Sequence, residues 1–168
     1  MELISPPQRG FPLSRGYLAI HSAPSALCRH LDWALVNLLG PSATLSWRPQ
    51  PLLPGSHRAI CEWRDREGAG ADLASTLRGW HYVRFEIREE SDREKVLYRY
   101  TPNLGIHRAV IDELGSVLIS ENQIMHALAQ HDDDMRETMD KALGTSWERE
   151  LDQFRRVDLE AISQSQAI

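Results

Sequence analysis

The segment ADLASTLRGWHYVRFEIRE, residues 71–89, decides the fold. Its first half, residues 71–80, reads as a short helix that Gly79 stops. Its second half, residues 81–89, alternates, with Val83, Phe85 and Ile87 on one side. That period of two is the mark of a strand with one buried face. Moving towards the N-terminus, residues 65–70 (DREGAG) form a turn. Residues 57–64 (HRAICEWR) alternate again, with Ala59, Cys61 and Trp63 opposing Arg58, Glu62 and Arg64. The proline-rich PQPLLPG is a loop, and residues 43–48 (ATLSWR) alternate as another strand. Before them, Leu27, Leu31, Ala34, Leu35 and Leu38 make a helical stripe that Gly40-Pro41 ends. Ser22 is a candidate N-cap for that helix, with Pro24 in its first turn. Residues 17–22 (YLAIHS) read as a first strand.

The order is therefore strand, helix, strand, strand, helix, strand, which predicts an α+β, ferredoxin-like βαββαβ core. Towards the C-terminus, residues 95–100, 106–111 and 116–119 predict additional strands. The rest predicts an acidic helical extension. Ser120 caps a first helix, with Ile124 and Leu128 inward. The run Asp132–Asp134 opens a second, which Gly144 breaks. Thr145 with Glu148 predicts a capping box for a third helix, with Trp147, Leu151 and Phe154 on one face. The expected organisation is an irregular N-terminal arm over 1–15, a single domain over 16–157 and a frayed tail over 158–168.

Composition narrows the function classes. A chain of 168 residues with 42% hydrophobic and 26% charged residues suits one globular domain that needs no disulfide or metal to fold. The net charge is −5. Residues 121–168 carry 11 acids and 5 bases, while residues 1–120 carry 13 acids and 14 bases. No basic stripe offers itself to nucleic acid. The acidic third reads as solvated helix faces, or as a docking surface for a basic partner. With 17 arginines and only Lys95 and Lys141 as lysines, any anion contact falls to a guanidinium fork. No apolar run is long enough to span a membrane, and the start lacks the pattern of a signal peptide, so a cytoplasmic protein is expected.

Chemical motifs are sparse. Gly68-Ala69-Gly70 ahead of a helix is the nearest thing to a phosphate cradle. It lacks the P-loop and dinucleotide spacings, and Asp65 stands where the coenzyme A turn of acetyltransferases has Gln or Arg. Asp132, Asp133 and Asp134 diverge on a helix and suit its dipole better than a metal. Cys28 and Cys61 are isolated and read as buried free thiols. The seven histidines show no metal spacing, so no metal, cofactor or catalytic residue is expected. His21 and His107, each on or beside a strand next to a turn, remain candidates for a pocket that takes an acyl thioester or another anionic metabolite. Among the five tryptophans, Trp33 and Trp147 are expected in the core. Trp47, Arg48, Arg78 and Trp80, with Asn103 and His107, are the candidate partner-binding set, because aromatic and arginine side chains mark interface hot spots.

The segments HSAPSALCRHLDWAL, LSWRPQP, ADLASTLRGWHYVRFEI, YTPNLGIHRAVID and LGTSWERELDQFRR resemble an actinobacterial domain-of-unknown-function family over nearly the whole chain after residue 15. The resemblance carries no catalytic residues. It implies a setting near fatty-acid synthesis genes, and so nominates acyl carrier protein, the condensing enzymes and the biotin-dependent acyl-CoA carboxylase as partners. The expectation is a non-enzymatic regulatory or accessory protein for an enzyme of fatty-acid or acyl-CoA metabolism. The carboxylase is the first choice. The alternative is a small-ligand binding protein or enzyme built on His21 and His107.

Overall fold

A computed structural model describes residues 12–130 and 132–165. It is a mixed α+β structure with a seven-stranded antiparallel sheet and five α-helices among the described residues. The elements are β1 (Leu13–Pro24), α1 (Cys28–Leu39), β2 (Arg48–Pro49), β3 (Ser56–Arg66) and α2 (Ala69–Leu77), then β4 (Arg84–Glu90), β5 (Lys95–Thr101), β6 (Gly105–Ile111) and β7 (Val117–Leu118). Three helices follow: α3 (Glu121–Leu128), α4 (Asp132–Leu143) and α5 (Thr145–Ser165). The strand order is β2-β3-β1-β4-β5-β6-β7, so the sheet is larger than a simple four-stranded core.

The two faces of the sheet are built differently. On one face Leu18, Ile20, Phe85 and Ile87 meet Leu31 and Leu35 of α1 and Leu73 and Leu77 of α2, all essentially inaccessible to solvent. Full burial of each such side chain stabilises the fold by about 1.5–3 kcal/mol. This is the face that the alternation of Val83, Phe85 and Ile87 marks out in the sequence. The opposite face carries the charged residues of the same strands.

Several local expectations change. β1 starts at Leu13, inside the stretch expected as an arm, because Leu13 and Ser14 pair with Arg66 and Asp65 of β3 and, from Arg15 on, the strand also pairs with β4. The rest of that arm, residues 1–11, lies outside the described residues. Helix α5 continues to Ser165, past the expected fraying point, and residues 166–168 lie outside the described residues. Of residues 43–48, only Arg48 joins a ladder, together with Pro49. Ala43, Leu45 and Trp47 still pack on the core, but Pro49 and Pro51 have no N–H to extend an edge pairing. Ser22 stays in β1 rather than capping a helix; a 3-10 turn over Ser25–Leu27 comes first, and Ser25 Oγ donates to Gly55 O at 2.8 Å. Trp33 is 59% exposed, since it lies two residues from Leu31 and so on the outer side of α1. Trp147 is buried as expected. Ser120 and Gln123 form a reciprocal capping box at α3. Thr145 and Glu148 do not form one. Glu148 N donates to Gly144 O, and the Glu148 carboxylate is drawn to Arg99 on the sheet and Arg155 on α5 itself.

The Gly68-Ala69-Gly70 turn has its own anion. Glu89 of β4 is 5% exposed, and its carboxylate accepts from Gly68 N at 2.8 Å, Gly70 N at 3.0 Å and Ser14 Oγ at 2.7 Å. The backbone amides at the start of α2 are thus satisfied from within the fold, as a helix N-terminus requires. Gly70 is needed for this approach, because a Cβ there would lie 2.6 Å from Glu89 Oε2. A phosphate would have to displace a buried carboxylate.

Glu89→Ala leaves the Gly68 and Gly70 amides without their acceptor, while the Ser14 hydroxyl can still donate to Arg66 O at 3.2 Å. It should lower unfolding free energy by about 3 kcal/mol, at about 1–3 kcal/mol for each buried group left unsatisfied. Glu89→Gln should cost less, because one side-chain oxygen remains. Urea denaturation measures both, and a loss under about 1 kcal/mol for the alanine variant contradicts the assignment.

Candidate functional site

The second sheet face is half covered. Trp147, Leu151 and Phe154, spaced to share one side of α5, are buried against it. The strand register lays out the polar residues beneath them in rows. One row runs Ile60, Ala19, Glu86, Arg99 and His107 across β3, β1, β4, β5 and β6. A β-bulge between Ile20 and Ser22 interrupts the pairing of β1. There His21 Nε2 lies 2.7 Å from Glu86 Oε2, and Arg84 donates to Ser22 Oγ at 3.3 Å.

These side chains form a clamp between the sheet and α5. Arg155 Nε donates to Glu86 Oε2 at 2.9 Å, and its two terminal nitrogens donate to Glu86 and Glu148. Arg99, almost fully buried, donates to Glu148 Oε2 at 2.8 Å and to Leu143 O at 3.0 Å. His107 Nε2 donates to Ala142 O at 3.0 Å, which leaves Nδ1 to accept from Arg99 at 3.3 Å. Arg99 and His107 thereby bind the last carbonyls of α4, where its dipole favours donors. Trp147 packs against His107 with the rings tilted by 31° and centroids 4.9 Å apart, and donates to Gly105 O at 2.9 Å. Arg84 lies over the Phe154 ring, 5.4 Å from its centroid.

The electrostatics suit a clamp. Burial by itself would raise the Glu86 carboxyl, but hydrogen bonds from Arg155 and His21 outweigh it and hold the group at about 2. Arg155 is raised above its ordinary value, chiefly by Glu86. Burial pushes His107 down, so its ring is neutral near pH 7. Burial also raises the thiols of Cys28 and Cys61, which keeps them protonated.

The other half of this face is open. A groove of about 1480 Å³ lies over it, floored by Tyr17, Arg88 and Leu97 and bounded by Val117 and Leu143. Glu62 and Arg64 of β3 also line it. Arg64 and Arg88 are exposed and pair with no described residue.

The residues singled out in the sequence do not converge on this groove. His21 borders it, while His107 is buried under the turn between α4 and α5. Trp47 packs on the core and donates to Asp32 Oδ1 at 2.9 Å, and Trp80 packs on the core after α2. Arg48, Arg78 and Asn103 are exposed, the first in β2, the second at the end of α2 and the third in the turn between β5 and β6. The sequence signal for the groove is the charged face of the alternating strands. Arg58, Glu62 and Arg64 oppose the inward residues of β3, and Glu86 and Arg88 oppose those of β4. Which of them meet is a matter of register, and Arg155 is brought to them from 69 residues away.

Fold and site define an α+β domain with one sheet face filled by helices and the other half clamped and half open. The family model described as protein of unknown function (DUF3145) matches residues 17–164, and the chain belongs to that family. No curated protein and no solved structure matches the chain. No helix among the described residues is long and apolar enough to cross a membrane.

The clamp gives two expectations. Glu86 is depressed in the folded state, so its contribution is complete above the unfolded value near 4.5 and is lost as pH falls towards about 2. Wild type should therefore lose stability more steeply between pH 5 and pH 2 than Glu86→Gln, by up to about 3 kcal/mol over that window. Parallel urea midpoints for the two proteins would contradict this. Gly144 has φ +72°, and a Cβ there would press on Arg99 and lie 2.5 Å from His107. Gly144→Ala should cost about 2 kcal/mol or more and speed proteolysis within α5.

Proposed function

We propose that this is a non-enzymatic regulatory or accessory protein that binds its partner through the open half of the sheet. The observation that carries the reading is the groove over Tyr17, Arg88 and Leu97, with Arg64 and Arg88 left unpaired beside an apolar floor. Exposed arginine and aromatic side chains in a concavity suit a protein interface. The densest polar cluster, by contrast, is consumed by holding α5. Glu86 at about 2 is too weak a base for proton transfer near neutral pH, and His107 is spent on a backbone carbonyl. A pocket built on both His21 and His107 has less support, since only His21 reaches the open space.

The partner choice rests on the family resemblance. It is an enzyme of actinobacterial fatty-acid or acyl-CoA metabolism, first the biotin-dependent acyl-CoA carboxylase. The strand order β2-β3-β1-β4, with α1 and α2 as its two crossovers, supports reading the first four strands as a ferredoxin-like unit to which β5, β6 and β7 are added.

The test uses purified carboxylase and the full chain. Binding by calorimetry and a changed carboxylation rate are expected, and both should be lost in Val117→Trp, which fills the rim of the groove. No binding, or binding that Val117→Trp leaves intact, overturns the reading.

A further inference from the structure

The charges on the groove floor say what kind of surface would fill it. Two rows of residues face the opening. In the first, Glu62, Tyr17, Arg88 and Leu97 lie side by side on β3, β1, β4 and β5. In the second, Arg64, Arg15, Glu90 and Lys95 do the same. Arg15 is committed to Glu90 at 2.9 Å, and Lys95 to Glu113 at 2.6 Å. Arg99 and Arg155 belong to the clamp. Arg64 faces Arg15 directly across the strand pair, a juxtaposition of like charges that costs stability. With Glu90 already engaged by Arg15 and Lys95, the acid left over on this floor is Glu62. Two unpaired guanidiniums against one unpaired carboxylate leave a local excess of positive charge in a protein whose net charge is −5.

The spacing of the two arginines matters. They lie on β3 and β4 with β1 between them, and one row apart. From the strand separation and the rise per residue, their Cα atoms are about 12 Å apart. Two forks set that far apart, on either side of the Tyr17 ring, suit two carboxylates rather than one compact headgroup. Carboxylates four residues apart on an extended segment share a face and lie about 13 Å apart. The groove is also larger than the roughly 300–1,000 Å³ of small-ligand sites. Tyr17, Leu97 and Val117 offer apolar contact between and beside the charges.

We propose that the groove takes an acidic polypeptide segment of a partner protein, two of whose carboxylates pair with Arg64 and Arg88 while an apolar side chain seats over Tyr17 and Leu97. This rests on the groove being the docking surface. Guanidinium forks recognise carboxylates in pairs of parallel hydrogen bonds, so the arginines set the register of the segment as well as its charge.

The experiment is fluorescence anisotropy of the full chain with a labelled peptide of Glu, Leu and Ser, against the same peptide with Lys for Glu. The Glu peptide should bind and the Lys peptide should not. The double variant Arg64→Glu/Arg88→Glu should weaken the Glu peptide by about tenfold or more, the equivalent of about 1.4 kcal/mol, and Arg93→Glu, away from the groove, should not. Both variants lie on exposed positions, and an unchanged melting curve confirms their fold. Undiminished binding by the double variant, no binding of the Glu peptide, or preferential binding of decanoyl-CoA would each overturn the proposal. So would self-association of the free chain that the double variant abolishes, which would make the occupant a second copy. If carboxylase binding is lost in Val117→Trp yet kept in the double variant, the groove stands and the acidic segment falls.

Discussion

The ion pair between Glu86 and Arg155 is the constraint on which the second layer of this protein depends. The helices of the first layer are held by a broad apolar contact that tolerates small shifts. Among the described side chains, helix α5 buries Trp147, Leu151 and Phe154 on a sheet face that also carries charged residues. What fixes its position is the set of charge-assisted bonds from Arg155 to Glu86 and Glu148, and from Arg99 to Glu148. A half-made network of this kind would be worse than none, because each buried charge left alone is costly. Here every carboxylate of the clamp has a cation, which is why it can sit inside the fold.

The clamp also determines what remains open. A groove stays open over the rows that contain Tyr17 and Arg15, with Arg64 and Arg88 upon it and unpaired among the described residues. The protein therefore separates two uses of arginine. Those at 99 and 155 are spent on architecture and those at 64 and 88 remain available. A similar separation applies to its acids. Glu89 fills the anion site at the start of α2, and Glu62 faces solvent.

Much of the architecture is legible in the sequence for physical reasons. The alternation over residues 83–87 and 59–63 reports a buried sheet face, since period-two burial has no other simple source. Gly144 and the spacing of Trp147, Leu151 and Phe154 report the break between the last helices and the buried side of the second. The site is much less legible. Trp47 and Trp80 look like interface residues in the sequence but pack on the core, because a large ring beside a strand is as easily buried as exposed. His107 looks available but lies under the turn between α4 and α5, whose position no local pattern encodes.

By itself the sequence determined the α+β class, the order of most elements, the inward residues of β3, β4 and α5, and the lack of any familiar catalytic spacing. Those are local properties, set by side-chain period and by turn chemistry. Only the tertiary structure decided that Glu89 rather than a ligand occupies the turn at Gly68–Gly70, that Arg155 closes on Glu86, and that Arg64 and Arg88 share an open floor. Each of these depends on strand register and on contacts between residues far apart in the chain, and the pairing of charges across such distances leaves no trace in local pattern.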